Sequence, residues 1–248
     1  MPLQQVRLTV AYDGADFYGF QRQPDRDTVQ GKLENALSRL TGDRVSLVAA
    51  GRTDAGVHAL GQVVHFETEW AGPIGQLPYI LSSWLDPAVA VLEAKLVGPE
   101  FHARFSARFR RYGYLFFRSR RPDPLRERFA LRILPELNLN RMMDFSHLLV
   151  GRRDFGAFAS RLDSEHSLST VREVQRVRWC GSGKFRLLLI QADGFLRHMV
   201  RGIVGSLLKV GAGTMSFEEW RCLVERAERV CEFSSAPAAG LCLLRVGY

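Results

Sequence analysis

A polar loop between two predicted strands holds the residues best suited to chemistry. It begins Gly51-Arg52-Thr53-Asp54-Ala55-Gly56 and continues to Gly61, so glycines bracket it and its backbone can approach a ligand closely. An Asp-Ala-Gly run by itself is typical of a turn, in which the carboxylate binds backbone N–H groups two residues on. Arg52 favours a second interpretation, because a carboxylate beside cations stays ionised and can act as a nucleophile.

A second group of charged residues lies in an apolar segment later in the chain. Residues 196–210 are predicted to form a largely buried helix, with Arg197 and Arg201 four residues apart on one side of it. A buried arginine needs an acidic partner, because an unpaired charge in a protein core is strongly destabilising. Arg201 therefore belongs either to a structural ion pair or, as the sharper hypothesis, to a pair with Asp54.

A third group is the basic segment from Arg104 to Arg132, which contains ten arginines and two acids. Aromatic side chains are interleaved with the arginines: Phe105, Phe109, Tyr112, Tyr114, Phe116 and Phe117. Guanidinium groups bind phosphates and aromatic rings stack on unpaired bases, so this combination favours RNA binding. The alternative is a solvated strand whose aromatic residues alternate into a core.

The order of the predicted elements indicates how these groups are positioned. Strands are predicted near residues 7–12, 45–50, 62–66 and 88–97, with helices after Thr28 and from Pro73, which is a β-α-β-β-α-β order. The order returns with strands at 108–118, 170–180, 185–192 and 241–246 and with helices at 140–150, 196–210 and 217–227. The sequence therefore predicts an α+β fold of two ferredoxin-like (RRM-like) subdomains, residues 1–104 and 105–248, that share a cleft.

Composition limits the remaining classes of function. The chain has 248 residues, is 46% hydrophobic and 24% charged, and carries a net charge of +8, mostly from arginine, which favours a polyanionic partner. Its four cysteines lack zinc-ligand spacing and are interpreted as reduced thiols. No signal peptide is recognisable, and no apolar run approaches the roughly 20 residues of a membrane span. A cytoplasmic protein without membrane partners is expected.

The Asp54 loop is one of a series of motifs that run through the chain in a fixed order. The series comprises Asp13-Gly14 with Phe17-Tyr18-Gly19-Phe20-Gln21, Thr28-Val29-Gln30-Gly31, Ala50 to Ala59, Phe101-His102-Ala103-Arg104-Phe105-Ser106-Ala107, Arg111-Tyr112-Gly113-Tyr114, Arg153-Asp154-Phe155, Phe195 to Gly205 and Gly240-Leu241. Together these motifs resemble the tRNA pseudouridine synthase A family over essentially the whole chain. Arg197 and Gly202 depart from the residues that are usual in the family's helix.

The resemblance implies an enzyme that isomerises uridine to pseudouridine at positions 38, 39 and 40 of the tRNA anticodon stem-loop, without cofactor or metal. It also implies base flipping, a homodimer, and two ferredoxin-like subdomains that form a central, mainly antiparallel sheet with a catalytic cleft. By position, Asp54 matches the nucleophile, Tyr112 the tyrosine that packs on the target base, and Arg52 the arginine that helps to flip the nucleotide. Arg201 matches the partner of the aspartate, and Leu241, or Leu243, an apolar residue on the other face of the base.

Contacts with the rest of the RNA are expected from the motif that follows the fourth strand and from the start of the fifth. These residues are Phe101, His102, Ala103, Arg104, Phe105, Arg108, Arg110 and Arg111. Two details of the reaction stay open at this point. Asp54 could attack C1′ of the ribose or add to C6 of the uracil, and Tyr112 could remove the C5 proton or only stack on the base.

Two other classes of protein also stay open. A non-catalytic tandem RRM-like protein would explain the charge and the fold, but not a buried arginine together with an aspartate loop. A metal-dependent nuclease could recruit Asp13, Asp16, Asp54, His58 and His65, although these residues lack compact ligand spacing.

Overall fold

Two compact units make up the chain in the computed structural model, which describes residues 3–159, 169–227 and 234–248. One unit comprises Met1–Arg108 together with Cys242–Tyr248, and the other comprises Phe109–Leu241. The repeated order of elements predicted subdomains at residues 1–104 and 105–248, with the last strand in the second. In the structure most of that strand is grouped with the first unit.

Strands and two helices build the first unit. The strands are β1 (Gln4–Tyr12), β2 (Val48–Ala49), β3 (His58–Thr68), β4 (Val89–Val97) and the greater part of β10 (Leu241–Gly247), and the helices are α1 (Val29–Thr41) and α2 (Leu77–Ser82). β1 lies between β4 and β3 and is antiparallel to both, β2 is antiparallel to β3, and β10 is parallel to β3. The order β4-β1-β3-β2 agrees with the predicted β-α-β-β-α-β arrangement.

Helix α1 begins and ends where its sequence predicts. The Thr28 side chain accepts a hydrogen bond from the Gly31 N–H and caps the first turn. Gly42 closes the last turn with a left-handed φ of 80°, which glycine adopts without steric cost. Leu33 and Leu37 lie on the buried face of the helix, as the apolar spacing predicted.

In the residues that the structure describes, the second unit combines a sheet with four helices. Its strands are β5 (Phe109–Arg118), β6 (Leu131–Ile133), β7 (Gly151–Asp154), β8 (Val171–Cys180) and β9 (Phe185–Ala192), and its helices are α3 (Pro124–Glu127), α4 (Leu139–Ser146), α5 (Met199–Gly211) and α6 (Phe217–Glu225). The antiparallel order is β5-β9-β8-β7, and β6 is parallel to β5. The protein is therefore α+β and mainly antiparallel, as predicted. The short elements β6, β7 and α3 were not predicted, because three or four residues show no periodicity.

Two predicted boundaries beside functional residues are wrong. β3 begins at His58, directly after the Asp54 loop, and not near residue 62. The helix that carries Arg201 begins at Met199 and not at residue 196, because His198 has a left-handed φ of 63° that a helix cannot include. Arg197 therefore precedes the helix, and the predicted pairing of Arg197 and Arg201 on one helical face does not form.

Among the helices of the described residues, none has the length and apolar character that crossing a membrane requires. Cys180, Cys222 and Cys242 are free thiols, and burial raises the pKa of Cys242 to about 11. Cys231 lies outside the residues that the structure describes.

Candidate active site and RNA-binding surface

Buried side chains anchor the first half of the Asp54 loop, which connects β2 to β3. The Gln62 side-chain amide donates to the carbonyl oxygen of Gly51 at 2.9 Å. The hydroxyl groups of Tyr12 and Thr53 are hydrogen-bonded at 2.8 Å, and burial raises the pKa of the Tyr12 phenol. Tyr12 therefore stays protonated at neutral pH, and the residue directly before Asp54 is fixed to β1.

Backbone hydrogen bonds anchor the second half of the loop. The Val57 N–H donates to the carbonyl oxygen of Asp54 at 3.2 Å, and the Gly56 N–H donates to that of Phe17 at 3.3 Å. Within this frame Asp54 is half-buried, whereas Arg52 is exposed. The arrangement holds the aspartate backbone in place.

The Asp13-Gly14 motif supports the same loop from the end of β1, a role that the sequence analysis did not assign. The Gly14 N–H donates to His58 Nδ1 at 3.1 Å, and Asp13 Oδ1 lies 3.1 Å from the same nitrogen. A Cβ atom at position 14 would lie 2.0 Å from the carbonyl oxygen of Val57, which is closer than any real contact. The signal in the sequence was a glycine directly after a strand, where a missing side chain permits close approach.

Tyr112 belongs to the second unit, where it lies on β5. The side chain is 9% exposed, and its ring packs edge-to-face on Phe195 with the two centroids 5.0 Å apart. Edge-to-face packing stabilises such a pair beyond the burial of its surface. The sequence identified Phe195 only as the first residue of the motif that runs to Gly205. Its contact with Tyr112 gives it a structural role.

Arg110 and Arg111 are consecutive residues of β5, and each is hydrogen-bonded to a neighbouring group in the second unit. Arg110 Nη1 donates to the carbonyl oxygen of Asp193 at 2.7 Å. Arg111 donates from Nε and Nη2 to Gln191 Oε1, at 3.0 and 2.6 Å. Both side chains are half-buried.

Arg201 on α5 is bound to the segment that precedes β10. Its Nε donates to the carbonyl oxygen of Ala236 at 2.8 Å, and the Ala236 N–H donates to the carbonyl oxygen of Arg201 at 2.9 Å. The Tyr114 hydroxyl donates to the neighbouring Pro237 carbonyl at 2.7 Å. Burial raises the pKa of the Tyr114 phenol, and the charge of Arg201 opposes that shift. Arg201 and Tyr114 thus position the chain just before Leu241.

Leu241 and Leu243 are both buried, at 5% and 1% exposure. Leu241 follows a short 3-10 turn, Ala238–Gly240, and begins β10. Leu243 lies in the first unit, where it is paired in register with Ala59 at the start of β3. The choice between the two leucines as the apolar residue against the base remains a prediction.

The predicted RNA-binding residues between β4 and β5 form a compact turn. Ala103 is fully buried, Phe101 and His102 are half-buried, and Arg104, Phe105 and Arg108 are exposed. The Arg104 guanidinium lies 5.6 Å from the centroid of the Phe105 ring. A cation and an aromatic plane are therefore presented side by side at the surface of the first unit.

The residues proposed for a metal-dependent nuclease do not form a metal cluster. In the part of the chain that the structure describes, no three His, Cys, Asp or Glu side chains are grouped so that they could hold a metal ion. Asp13 and His58 are the two members of the set that approach each other through the 3.1 Å contact described above. The arrangement of the donors gives the nuclease hypothesis no support.

Comparison with known proteins agrees with this arrangement of motifs. The family model described as tRNA pseudouridine synthase matches residues 8–106 and 146–248. The tRNA pseudouridine synthase A of Syntrophotalea carbinolica is 40% identical, over 98% of this chain and 96% of its own length. The enzymes of that name from Bacillus licheniformis and Bacillus subtilis are 37% and 36% identical, each over 98% of this chain and 99% of their own length. These matches include the Asp54 loop, the 101–105 motif and α5, and the chain belongs to the tRNA pseudouridine synthase family.

Proposed function

We propose that this protein converts uridine to pseudouridine at positions 38, 39 and 40 of the tRNA anticodon stem-loop, with Asp54 as the nucleophile. The reaction breaks the C1′–N1 bond and joins C1′ to C5 of the same uracil. The proton lost from C5 is balanced by the proton gained at N1, so the change is redox-neutral and needs no electron carrier. The observation that carries the proposal is the Asp54 loop, which is anchored by hydrogen bonds on both sides of a half-buried aspartate.

Asp54 can begin the reaction in either of two ways. The carboxylate attacks C1′ and displaces the uracil, or it adds to C6 of the ring before the C1′–N1 bond breaks. In the first case the ribose is held on the enzyme, and in the second the uracil is held. Either covalent intermediate holds one fragment on the enzyme, and non-covalent contacts must retain the other while the ring turns to present C5 to C1′.

Access to the carboxylate requires the target nucleotide to leave the stack of the stem-loop. Turning a base out costs a few kcal/mol, which stacking inside the protein offsets. We assign Arg52, exposed beside Asp54, to the flipped nucleotide. Tyr112 and Leu241 are assigned to packing on the base, and Arg201 to holding Asp54 in position and charged, as the family resemblance implies.

Substitutions of Tyr112 are expected to separate its two possible roles. Tyr112→Phe keeps the ring and its packing on Phe195 but removes the hydroxyl. If the hydroxyl removes the C5 proton, Tyr112→Phe binds tRNA normally and accumulates a covalent adduct. If the ring only stacks, Tyr112→Phe stays active and Tyr112→Ala alone fails, because stacking contributes ~1–3 kcal/mol per base.

The measurements for this test are single-turnover pseudouridine formation and adduct detection on denaturing gels. Tyr79→Phe is the control, because the Tyr79 side chain is 84% exposed and loses the same hydroxyl. Wild-type turnover by Tyr112→Ala, with unchanged tRNA affinity, would show that Tyr112 has neither role.

Binding of the tRNA is assigned to the cationic surface around the start of β5. The proposed contacts are Phe101, Arg104, Phe105, Arg108, Arg110 and Arg111, and His102 and the buried Ala103 are assigned to the turn that carries them. Arg104 and Arg108 are exposed and suited to phosphates, and Arg110 and Arg111 are half-buried cations at the start of β5. We further propose that the enzyme acts in the cytoplasm as a homodimer, as the resemblance implies.

Neutralising Arg104, Arg108 and Arg110 together by Gln is expected to weaken tRNA binding and to flatten its salt dependence. Each lost phosphate contact should reduce the slope of log K against log salt by about 0.7–0.9. The slope is measured by fluorescence anisotropy between low and moderate salt. Arg44→Gln with Arg221→Gln, outside the basic segment, is the control. An unchanged slope in the triple variant would place the RNA on another surface.

The position of modification is tested with tRNA transcripts that carry uridine at 38, 39 or 40. After incubation with the protein, pseudouridine is mapped by carbodiimide-blocked primer extension. We expect a block at each of the three positions and none without enzyme. Tight binding of the transcripts without any block would identify the protein as a non-catalytic RNA-binding protein.

A further inference from the structure

The turn between β4 and β5, residues Phe101–Ala107, is closed by one of its own histidines. His102 Nδ1 accepts hydrogen bonds from the backbone N–H groups of Arg104 and Phe105, both at 3.2 Å. The backbone N–H of His102 donates to Ser106 Oγ at 3.0 Å, and the backbone N–H of Ser106 donates to the His102 carbonyl oxygen at 2.9 Å. One imidazole and one hydroxyl thus satisfy backbone groups that no neighbouring strand reaches.

A second histidine fastens the turn to the sheet. His65 on β3 is 6% exposed, and its Nδ1 accepts a hydrogen bond from the Ala103 N–H at 3.1 Å. The Tyr248 hydroxyl donates to the Ala103 carbonyl at 2.8 Å. The Phe101 ring packs on Tyr248 with centroids 4.9 Å apart. Side chains of the first unit therefore form hydrogen bonds with both the backbone N–H and the carbonyl of Ala103, and these bonds hold the buried side of the turn.

Both histidines must be neutral to act in this way. An Nδ1 atom that accepts an N–H bond carries no proton, so the ring hydrogen is on Nε2. Burial lowers the pKa of His65, whose ring packs edge-on against that of His102 with the centroids 5.0 Å apart. The folded protein thus favours the protonation state that the Ala103 bond needs.

The turn presents one large aromatic ring to solvent. Phe105 is 76% exposed, and it stacks on the His102 ring at 4.4 Å between centroids with an interplanar angle of 29°. Residues 101–108 contain two arginines and no acid. An exposed ring beside cations is suited to stacking on an unpaired base while the cations meet phosphates.

We propose that His65 and His102 are positioning residues of the RNA-binding surface, which hold the Phe101–Ala107 turn so that Phe105 stacks on an unpaired base of the tRNA. The inference rests on the proposed tRNA substrate. It goes beyond that proposal because it assigns His102 to shaping the turn and gives a role to His65, a residue of β3.

Asparagine and glutamine substitutions test the positioning role directly. The Asn carbonyl oxygen takes the place of His Nδ1 and still accepts an N–H bond, whereas the Gln amide extends towards the place of Nε2. The Kd of the full-length protein for a tRNA transcript is measured by fluorescence anisotropy, together with KM and kcat. Asn and Gln both remove the imidazole ring. The difference in Kd between the two variants at one position therefore measures the effect of the hydrogen-bond acceptor in the place of Nδ1.

We expect His102→Gln and His65→Gln to weaken tRNA binding by at least about fivefold, and the corresponding Asn variants to remain within about threefold of the wild type. Phe105→Leu keeps an apolar side chain without an aromatic plane and should weaken binding by roughly 5- to 150-fold. The losses should appear in Kd and KM and not in kcat, because the turn holds no reacting group.

Equal affinities of His102→Gln and His102→Asn would overturn the positioning role, and wild-type affinity of Phe105→Leu would overturn the stacking role. Thermal unfolding is followed for every variant. If the buried His65→Gln does not fold, the half-buried His102 pair decides the result. Binding does not require turnover, so an active Asp54→Asn variant would contradict the proposed nucleophile and leave this inference standing. A wild-type protein that does not bind tRNA would overturn both.

Discussion

Replacing Asp54 by Asn is expected to abolish pseudouridine formation, with a loss in kcat of at least about 10³-fold. The amide has nearly the shape of the carboxylate but no charge and no nucleophilic oxygen. The Kd for tRNA should change by less than about threefold, because phosphate contacts dominate binding. Pseudouridine mapping measures the first quantity and fluorescence anisotropy the second.

Asp43→Asn is the matched control for this substitution. Asp43 is exposed in the loop after α1, and its replacement removes the same charge from the same unit. We expect wild-type turnover from this variant. Substantial turnover by Asp54→Asn would contradict the nucleophile assignment, and a large loss of tRNA affinity would show that Asp54 acts in binding.

A single methyl group at position 14 is expected to damage the active site without removing any reactive group. In Gly14→Ala the new Cβ would stand 2.0 Å from the carbonyl oxygen of Val57, so either β1 or the Asp54 loop must move. A displacement of about 1 Å at a catalytic group can cost on the order of 10² in rate. We expect a loss of that size in kcat, and overpacking should lower the free energy of unfolding by about 1–3 kcal/mol.

The control for this change is Gly75→Ala, where a Cβ meets no atom within 4 Å. Its activity and its melting temperature should match those of the wild type. Melting curves of both variants, recorded with kcat and the tRNA Kd, separate a displaced loop from general unfolding. Full activity of Gly14→Ala would mean that the loop does not depend on this close approach.

The sequence by itself determined the elements whose signals are local. Thr28 and Gly42 mark the two ends of α1 because capping and a left-handed turn depend on a few neighbouring residues. The short apolar run at 185–192 was also predicted as a strand, which the structure confirms as β9. The order of motifs also identified the family, because such motifs record residue types and do not require a known fold.

Only the tertiary structure decided which distant residues support the functional loop and the turn. The Gly14–His58 hydrogen bond joins residues 44 positions apart, and the Ala103–His65 bond joins residues 38 positions apart. Local periodicity carries no information about such pairs, since they depend on how strands align in a sheet. For the same reason the repeated order of elements did not predict that most of β10 belongs to the first unit. The start of α5 at Met199 depends on the left-handed backbone of His198, a conformation that is uncommon for residues other than glycine and that local periodicity does not predict.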